Sequence, residues 1–377
     1  MSRLNELIQE LCPDGVEFKK LSTLCDLSRG KVYSKTYISE NPGIYPVYSS
    51  QTENDGELGR ISTYDYDGEY LTWTTDGAYA GTIFHRKGKF SITNVCGLIS
   101  IKSSNILIRF LYYWLSVKAK DYVYKGMGNP KLMSNQIAPI KIPIPPLDVQ
   151  NEIVRILDTF TSHTAELQAE LQAELQARKE QYEYYRNKLL TFDKDDKNVK
   201  WMKLGETYDM KAGKSIPASE ISSKRTSENQ FPCYGGNGLR GYVSIFNQKG
   251  EKVLIGRQGA LCGNVCFAEN HFYATEHAIV VSDRGYCLPR YTFYLLIIMD
   301  LNQYKTAGAQ PGLSVSRLEK VLLPIPSIPE QQRIVSILDK FEALVNDLTE
   351  GIPAEIAAVQ EQYEYYRNKL LTFKQRA

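Results

Sequence analysis

The chain has 377 residues and a net charge of only +2, so overall charge does not by itself indicate a nucleic-acid-binding protein. Its 43% hydrophobic content and 26 Tyr are ample for two folded domains plus an extended element. No apolar run approaches the ~18 residues of a membrane span, and the first residues lack a signal peptide's pattern. We therefore expect a cytoplasmic protein whose seven Cys are reduced core thiols.

The first segment, residues 1–147, has the pattern of a mixed α/β domain. It starts with apolar residues at helical spacing over 4–11. Short strand-like runs follow at 45–48, 70–73, 82–85 and 97–101. A helical stretch at 108–118 comes next, and a Pro-rich exit leads to Asp148, which we expect to cap a long helix.

An exact internal repeat organises the rest of the chain. The stretch QYEYYRNKLLTF occurs at residues 181–192 and again, without a change, at 362–373. The same offset of 181 residues relates 142–145 to 323–326 and 153–158 to 334–339. The chain is therefore a duplication, and each copy ends in the apolar pattern of one long helix.

The two long helices are predicted over 148–192 and 329–377. In the first, the apolar residues recur with a mean step of about 3.6, which is typical of a nearly straight helix. The second is expected to bend or break at Gly351-Ile352-Pro353. The stripe residues expected to face a partner are Leu167, Leu171, Leu175, Tyr182, Tyr185 and Leu189 in the first helix, and Ile352, Ile356, Tyr363, Tyr366 and Leu370 in the second.

Connectivity predicts that these helices pair with each other in antiparallel orientation. Each stripe would span roughly 55 Å, which is too long for the core of one small domain. Few residues separate the end of the first helix from the second globular segment, so the second helix has to run back. We expect an approximate two-fold axis that holds the two globular segments on the order of 50 Å apart.

The second globular segment, 193–328, repeats the plan of the first with different loops. Gly77 and Gly81 match Gly259 and Gly263, and these shared residues fix backbone geometry. The polar residues beside them differ: 49–51 is Ser-Ser-Gln against Gly-Gly-Asn at 235–237, and 74–76 is Thr-Thr-Asp against Gly-Arg-Gln at 256–258. One frame with different polar loops suits two modules that read different targets, although neutral drift of surface loops would give the same pattern.

The sequence contains no convincing catalytic constellation. A phosphate-binding loop ending at Lys214 would need Gly at position 208, which is Tyr208. Asp14, Glu17 and Lys19 have the residue types of a metal nuclease, but the acids are too close in sequence to come from separate strands. The four His include no metal-ligand pair at helical spacing.

Basic, amide and hydroxyl side chains in the loops are the candidate DNA contacts. Lys and Arg suit phosphates, whereas Arg, Gln, Asn and Ser read base edges. The alternative interpretation is an ordinary solvated surface. The candidates are Lys31, Lys35, Ser49, Ser50, Gln51, Thr74, Thr75, Asp76, Asn129 and Lys131 in the first segment, and Lys214, Asn237, Arg240, Arg257, Gln258 and Gln310 in the second.

The layout resembles the DNA-specificity subunit of type I restriction–modification systems. The resemblance covers essentially the whole chain. It is carried by the paired exits IPIPPLDVQNEIVRILDTF and LPIPSIPEQQRIVSILDKF, by the repeated QYEYYRNKLLTF, and by the run TAELQAELQAEL at 164–175. It implies an α+β fold with two related α/β target-recognition domains, separated by two long antiparallel helices that form a coiled-coil spacer with pseudo-two-fold symmetry.

The resemblance also implies a function and a set of partners. Each target-recognition domain would read one half of a bipartite double-stranded DNA target, and the helices would bind two modification (methyltransferase) subunits. The chain itself would hold no metal or cofactor: S-adenosylmethionine is expected on the modification subunits, and ATP with Mg on restriction subunits. Two other classes stay open, a self-contained DNA-processing enzyme and a coiled-coil scaffold.

Overall fold

The computed structural model describes residues 3–126, 128–259, 261–306 and 311–376. The chain divides into two compact units, one of Met1–Ala169 with Glu355–Ala377 and one of Glu170–Ala354. Each unit contains one globular domain, the first part of one long helix and the last part of the other.

The first domain is built on a six-stranded sheet and a separate two-stranded sheet. The eight strands of the domain are β1 (Glu17–Lys20), β2 (Cys25–Arg29), β3 (Pro42–Tyr48), β4 (Glu57–Ile61), β5 (Tyr66–Thr74), β6 (Ile83–Ile92), β7 (Cys96–Ile101) and β8 (Lys141–Ile144). Its helices are α1 (Arg3–Leu11), α2 (Leu21–Leu24), α3 (Lys35–Glu40), α4 (Ile108–Lys118) and α5 (Ser134–Ile137). The sheet order is β2-β7-β5-β6-β3-β4, and β1 pairs separately with β8. The helix predicted at 108–118 and the four predicted strand runs are all found.

The second domain repeats this strand order in two smaller sheets. Its strands are β9 (Lys200–Lys203), β10 (Tyr208–Ala212), β11 (Phe231–Gly235), β12 (Gly238–Val243), β13 (Gln248–Lys249), β14 (Lys252–Gly256), β15 (Val265–Ala268), β16 (His271–Ala274), β17 (Ala278–Asp283) and β18 (Leu322–Ile325). Its helices, α7 (Leu204–Thr207), α8 (Pro289–Ile298) and α9 (Val315–Leu318), are numbered after the long helix α6 (Leu147–Leu190). The sheet orders are β10-β17-β14-β15 and β12-β11-β16-β13.

The two domains share one unusual strand pairing. The parallel pair β3–β6 of the first domain corresponds to the parallel pair β11–β16 of the second. Where β6 is continuous, the second domain has β15 and β16, interrupted by Asn270 at φ +62°. The strand corresponding to β5 is also divided, into β13 and β14, and these two interruptions together split one six-stranded sheet into two sheets.

The long helices are α6 and α10 (Ile328–Leu370). The expectation that Asp148 caps the first helix is wrong, and the break allowed for at Gly351-Ile352-Pro353 in the second is not found. Helix α6 begins one residue before Asp148, which lies inside the first turn and is not the cap. Helix α10 continues through Gly351 and Pro353 without ending, and the neighbouring Ile352 is buried.

A buried glutamine fixes the start of each long helix to its domain. The side-chain amide of Gln150 accepts a hydrogen bond from Leu107 N at 2.9 Å and donates to Asn105 O and Pro145 O, both at 2.8 Å. Gln331 makes the equivalent bonds in the second unit, 181 residues later. Gln150 has no exposed surface, and its bond to Pro145 O is fully buried, so the amide supplies that buried carbonyl with a hydrogen-bond partner.

An arginine–tyrosine–aspartate cluster provides a second duplicated anchor. In the second unit, Tyr294 Oη donates to Asp339 Oδ1 at 2.7 Å, and Arg290 Nη2 donates to the same oxygen at 2.8 Å. Arg109, Tyr113 and Asp158 form the same cluster in the first unit. Burial and the hydrogen bond to the aspartate raise the pKa of each tyrosine. The repeated aspartate of the long helices is therefore a structural anchor.

Within each unit, the start of one long helix packs against the end of the other. Phe160 lies 6.2 Å from Tyr366 between ring centroids in the first unit. In the second unit, Tyr185 stacks on Phe341 at 5.4 Å. Both contacts join a tyrosine of the repeated QYEYYRNKLLTF motif to a phenylalanine near the start of the opposite helix. As the chain advances from Phe160 to Leu167, the residues facing it run back toward Val359, which makes the pairing antiparallel.

The segment after α10 is held in the first domain. Gln375 forms a parallel bridge with Val16, whose N donates to Lys374 O at 2.9 Å. The ring of Phe373 lies 6.1 Å from that of Phe110 in the core. The two ends of the chain therefore meet in one domain, a contact that the sequence left open.

Candidate nucleic-acid interface

Both domains carry the same backbone frame around a glycine loop, which we define as residues 77–81 in the first domain and 259–263 in the second. Ala260 lies outside the described residues. The matching amide bonds run from Gly81 N to Thr74 O at 2.8 Å, from Gly263 N to Gly256 O at 2.7 Å, from Gly77 N to Pro130 O at 3.0 Å, and from Gly259 N to Pro311 O at 3.1 Å. The alignment of these glycines made from sequence is thus matched by the hydrogen bonds.

A cleft of about 790 Å³ opens beside the glycine loop of the second domain. Its lining is formed by Gly235, Gly236, Asn237, Gly238, Leu239, Arg240, Gln258, Gly259, Leu261, His277, Pro311 and Gly312. Small residues dominate this lining, so a ligand could approach the backbone closely. The polar side chains that remain are the types that contact phosphates and base edges in DNA complexes.

The cleft is shaped by a tight hairpin lying on the end of β14. Gly235 and Gly238 pair across a two-residue turn that contains Asn237. A Cβ atom added at Gly256 would lie 1.9 Å from the carbonyl oxygen of Gly236, so only glycine fits at that crossing. This close approach fixes where the hairpin presents Asn237.

Three of the predicted residues meet at this cleft. Asn237, Arg240 and Gln258 are exposed and line it. Arg257 is half-buried and follows the end of β14, where its N donates to His277 O at 2.8 Å. The structure thus brings together the hairpin and the glycine loop that the sequence treated as separate motifs.

The remaining predictions in the second domain are less closely grouped. Lys214 is exposed, and its N donates to Ala274 O at 3.0 Å, which places it at the start of the loop after β10. It is not part of the cleft lining. Gln310 lies outside the described residues.

In the first domain, the loop after β3 turns its polar side chains inward. Ser50 Oγ and Gln51 Nε2 donate to the backbone carbonyls of Val95 and Glu57. Ser49 Oγ accepts a hydrogen bond from the Thr93 hydroxyl at 3.0 Å. All three predicted residues are only partly exposed, and their bonds stabilise the loop.

The prediction that Thr74 and Thr75 contact DNA is wrong for this structure. Both residues have no exposed surface. The Thr74 hydroxyl donates to Tyr79 O at 2.5 Å, and the Thr75 hydroxyl donates to Val95 O at 2.8 Å. The alternation of buried and exposed residues that is typical of a half-buried strand does not apply here, because the end of β5 is buried on both faces. The sequence pattern therefore did not reveal that these threonines are buried.

Asp76, Asn129 and Lys131 do lie together in the first domain. Lys131 forms antiparallel bridges with both Asp76 and Tyr124, and Asn129 is exposed in the same loop. This group occupies the position corresponding to Gln258 and Gly312, which form the equivalent bridge in the second domain.

Two predicted cations lie elsewhere on the first domain. Lys31 Nζ is 2.5 Å from Asp65 Oδ1, and this hydrogen bond raises the pKa of the lysine. The ion pair would have to open before Lys31 contacted a phosphate. Lys35 is exposed at the start of α3.

Arg29, at the end of β2, is a cation that sequence reasoning missed. Its Nη2 donates to Thr75 Oγ1 at 2.9 Å and to Asn94 O at 2.5 Å. By strand register, Arg29 corresponds to Ala212 in the second domain, and Thr75 corresponds to Arg257. Each domain therefore supplies one arginine to this pair of positions, at the end of β2 in the first domain and directly after β14 in the second. The sequence did contain a signal for this: arginine at position 29 is alanine at 212, whereas threonine at position 75 is arginine at 257.

Arg86 is a second residue that was missed. It is only 3% exposed, and its guanidinium lies 3.6 Å from the centroid of the Tyr48 ring. Its Nη1 and Nη2 donate to the carboxylate and the backbone carbonyl of Asp55, at 2.5 and 2.6 Å. Asn54, Asp55 and Gly56 all have positive φ, so Arg86 holds a strained turn in place.

The predicted stripe of the long helices is largely half-buried. Ile352 is buried, whereas Leu167, Leu171, Leu175, Tyr182, Leu189, Ile356, Tyr363 and Leu370 are intermediate. Tyr185 and Tyr366 are 36% and 41% exposed, and the preceding Tyr184 and Tyr365 are 59% and 61% exposed. The repeated motif thus presents the same exposed aromatic surface in both units.

Metal sites and membrane spans are absent from the described parts of the chain. No group of three or more His, Cys, Asp or Glu there is arranged to hold a metal ion. Of the helices described, none combines the length and apolar character needed to cross a membrane.

Comparison with known proteins identifies the family. The model described as "Type I restriction modification DNA specificity domain" matches residues 13–177 and 196–358. The chain is 30% identical over 366 residues to S.MpnORF507P of Mycoplasma pneumoniae, described as a type I specificity subunit, covering 93% of this chain and 96% of that protein. It is 50% identical over 204 residues to the specificity subunit of the Escherichia coli type I restriction enzyme EcoprrI, covering 54% of this chain and 51% of that subunit.

A solved structure supports the same fold. The HsdS subunit from Thermoanaerobacter tengcongensis matches with a TM-score of 0.60 at 16% identity, covering 96% of this chain and 97% of that one. The chain therefore belongs to the type I restriction–modification DNA-specificity family, which confirms the resemblance seen in the sequence. Within such a system it is the specificity subunit and not a catalytic subunit.

Proposed function

We propose that each globular domain reads one half of a bipartite double-stranded DNA target. The observation that carries this proposal is the glycine-lined cleft of the second domain, which Asn237, Arg240 and Gln258 line. Amide and guanidinium groups form bidentate hydrogen bonds to adenine and guanine. A glycine-rich lining lets the DNA come close enough for such bonds to form.

The proposal assigns residues 1–147 and 193–328 to reading and the segments 148–192 and 329–377 to the spacer. Since the domains share a frame but differ in the polar residues on it, the two half-sites should differ in sequence. The proposed reading and phosphate-contacting residues that are exposed are Lys31, Lys35, Asn129, Lys131, Lys214, Asn237, Arg240 and Gln258. Asp76 and Arg257 are half-buried and are proposed from their position beside the glycine loops. Ser49, Ser50 and Gln51 would join them only by releasing the loop hydrogen bonds of their side chains.

The long helices would bind two modification subunits, one per unit. Tyr184 and Tyr365 support this, because identical exposed aromatic residues at matching positions suit two copies of one partner. In this scheme the modification subunits hold S-adenosylmethionine and the restriction subunits hold ATP and Mg. The complex would act in the cytoplasm, where the host DNA lies.

A binding-selection experiment tests the reading role. The chain with its modification subunits would be mixed with a random duplex library, and the bound DNA sequenced. The proposal expects enrichment of two short motifs at a fixed separation. Enrichment of a single continuous motif, or of none, would contradict the two-reader proposal.

A further inference from the structure

The tips of the two glycine loops carry exposed apolar side chains at the same structural position. Tyr79 is 62% exposed and Leu261 is 58% exposed. Single exposed apolar residues are ordinary on protein surfaces. Here, however, the exposure recurs in both copies, while the polar residues immediately before each loop have changed.

Each loop is held rigidly by backbone geometry. Gly77 and Gly81 have φ of +97° and +85°, and Gly259 and Gly263 have φ of +93° and +94°. The carbonyl oxygen of Tyr79 accepts hydrogen bonds from the hydroxyl of Thr74 and from the backbone and side chain of Thr82. A Cβ at Gly263 would lie 2.5 Å from Asn302 N, so that loop is closely packed from behind. The exposed tip is therefore a preorganised feature of the frame.

The surroundings of each tip indicate what covers it. Leu261 lines the same cleft as Arg240 and Gln258. In the first domain, Gly77 N donates to Pro130 O, which places the loop of Tyr79 beside the loop that carries Lys131. An apolar tip flanked by cationic and amide groups suits the groove of a duplex, where thymine methyl groups and sugar edges lie between phosphates.

We propose that Tyr79 and Leu261 are matching apolar contacts to DNA, one in each half-site, which pack against bases and sugars beside the hydrogen-bonded readers. This inference rests on the proposed function and adds a contact of a different kind to it. The contact is apolar in both domains, although one side chain is aromatic and the other aliphatic. The substitutions Tyr79→Leu and Leu261→Tyr should therefore both keep the apolar contact, since the same loop position carries leucine in one domain and tyrosine in the other.

The test measures DNA affinity of the full complex with its modification subunits, using Tyr79→Ala and Leu261→Ala. Each variant is expected to bind the cognate duplex about tenfold more weakly, which is the size of effect that removing one buried leucine or aromatic contact gives. The exchanges Tyr79→Leu and Leu261→Tyr should stay within about threefold of wild type. Matched controls are Ile44→Ala and Ile245→Ala, which remove exposed apolar side chains elsewhere and should leave affinity unchanged.

Two further readouts separate an apolar DNA contact from a structural role. The slope of log affinity against log salt concentration should not change in the alanine variants, whereas loss of one phosphate contact makes this negative slope shallower by about 0.9. With the second half-site scrambled, Tyr79→Ala should still weaken binding and Leu261→Ala should not. Unchanged cognate affinity, a changed salt slope, or equal effects on both half-sites would overturn the inference. Absence of any sequence preference in the wild-type complex would instead refute the proposed function.

Discussion

Replacing Gln150 by Leu should destabilise the first unit without affecting the second. The substitution keeps the approximate volume but removes all three hydrogen bonds of a side chain with no exposed surface. The Pro145 carbonyl is buried, so leaving it without a partner costs about 1–3 kcal/mol, and each of the two partly buried bonds contributes about 0.5–1.5 kcal/mol. The expected loss is about 3 kcal/mol of unfolding free energy.

Tryptophan fluorescence can report this loss for one domain alone. The chain has three Trp: Trp73 and Trp114 lie in the first domain, and Trp201 lies in the second. In a Trp201→Phe background, urea unfolding followed by fluorescence monitors the first domain. Urea unfolding gives the loss of unfolding free energy, and when the same fluorescence signal is followed on heating, the thermal midpoint should fall by roughly 6–12 °C for a domain of this size.

A matched surface substitution provides the control. Gln172→Leu changes an exposed glutamine on the same helix and should alter the unfolding free energy by no more than about 0.5 kcal/mol. A loss below about 1 kcal/mol for Gln150→Leu, or one equal to that of the control, would refute the anchoring role. Gln331→Leu should produce the corresponding loss only in the second unit.

Three further outcomes are expected. Arg257→Ala should relax recognition in one half-site by ~1–3 kcal/mol of discrimination, and mapping that shows both halves altered, or neither, would count against a reading role. Deleting one tetrapeptide, 168–171, shortens the continuous helix α6 by ~6 Å and should remove about one base pair from the unread spacer of the DNA target. Single-molecule sequencing of methylated DNA should show the shorter spacer with both half-site sequences intact. An unchanged spacer would contradict this prediction. Although burial raises the pKa of Asp65, hydrogen bonds from Lys31 and Tyr33 outweigh it and leave that pKa below its usual value. The stability advantage of wild type over Asp65→Asn should thus be present above pH ~4 and disappear as the pH falls further; an advantage that persisted in acid would exclude this cause.

The duplication made the fold accessible from sequence. The offset of 181 residues relates the two domains, and the apolar periodicity that recurs at that offset locates both long helices. The helical path through Pro353 could not be predicted in the same way, because local propensity opposes it and packing overrides that propensity. The start of α6 was misplaced for a related reason: a buried Gln150, and not Asp148, ties the first turn to the domain.

The candidate site was less predictable than the fold. Sequence alignment found the glycine loops, since glycine at positive φ leaves a recognisable pattern. It did not distinguish Thr75, which is buried, from Arg257 at the matching position, which is half-buried. It also missed Arg29 and Arg86, because their roles depend on partners 46 and 31 residues away that only the strand register brings close.

The most direct test of the central claim is the methylome of the host with and without this chain, and with Arg257→Ala in its place. We expect a bipartite methylated motif that is lost when the chain is absent and becomes degenerate in one half when Arg257 is replaced. A methylome that stays the same after removal of the chain would contradict its role in setting DNA sequence specificity.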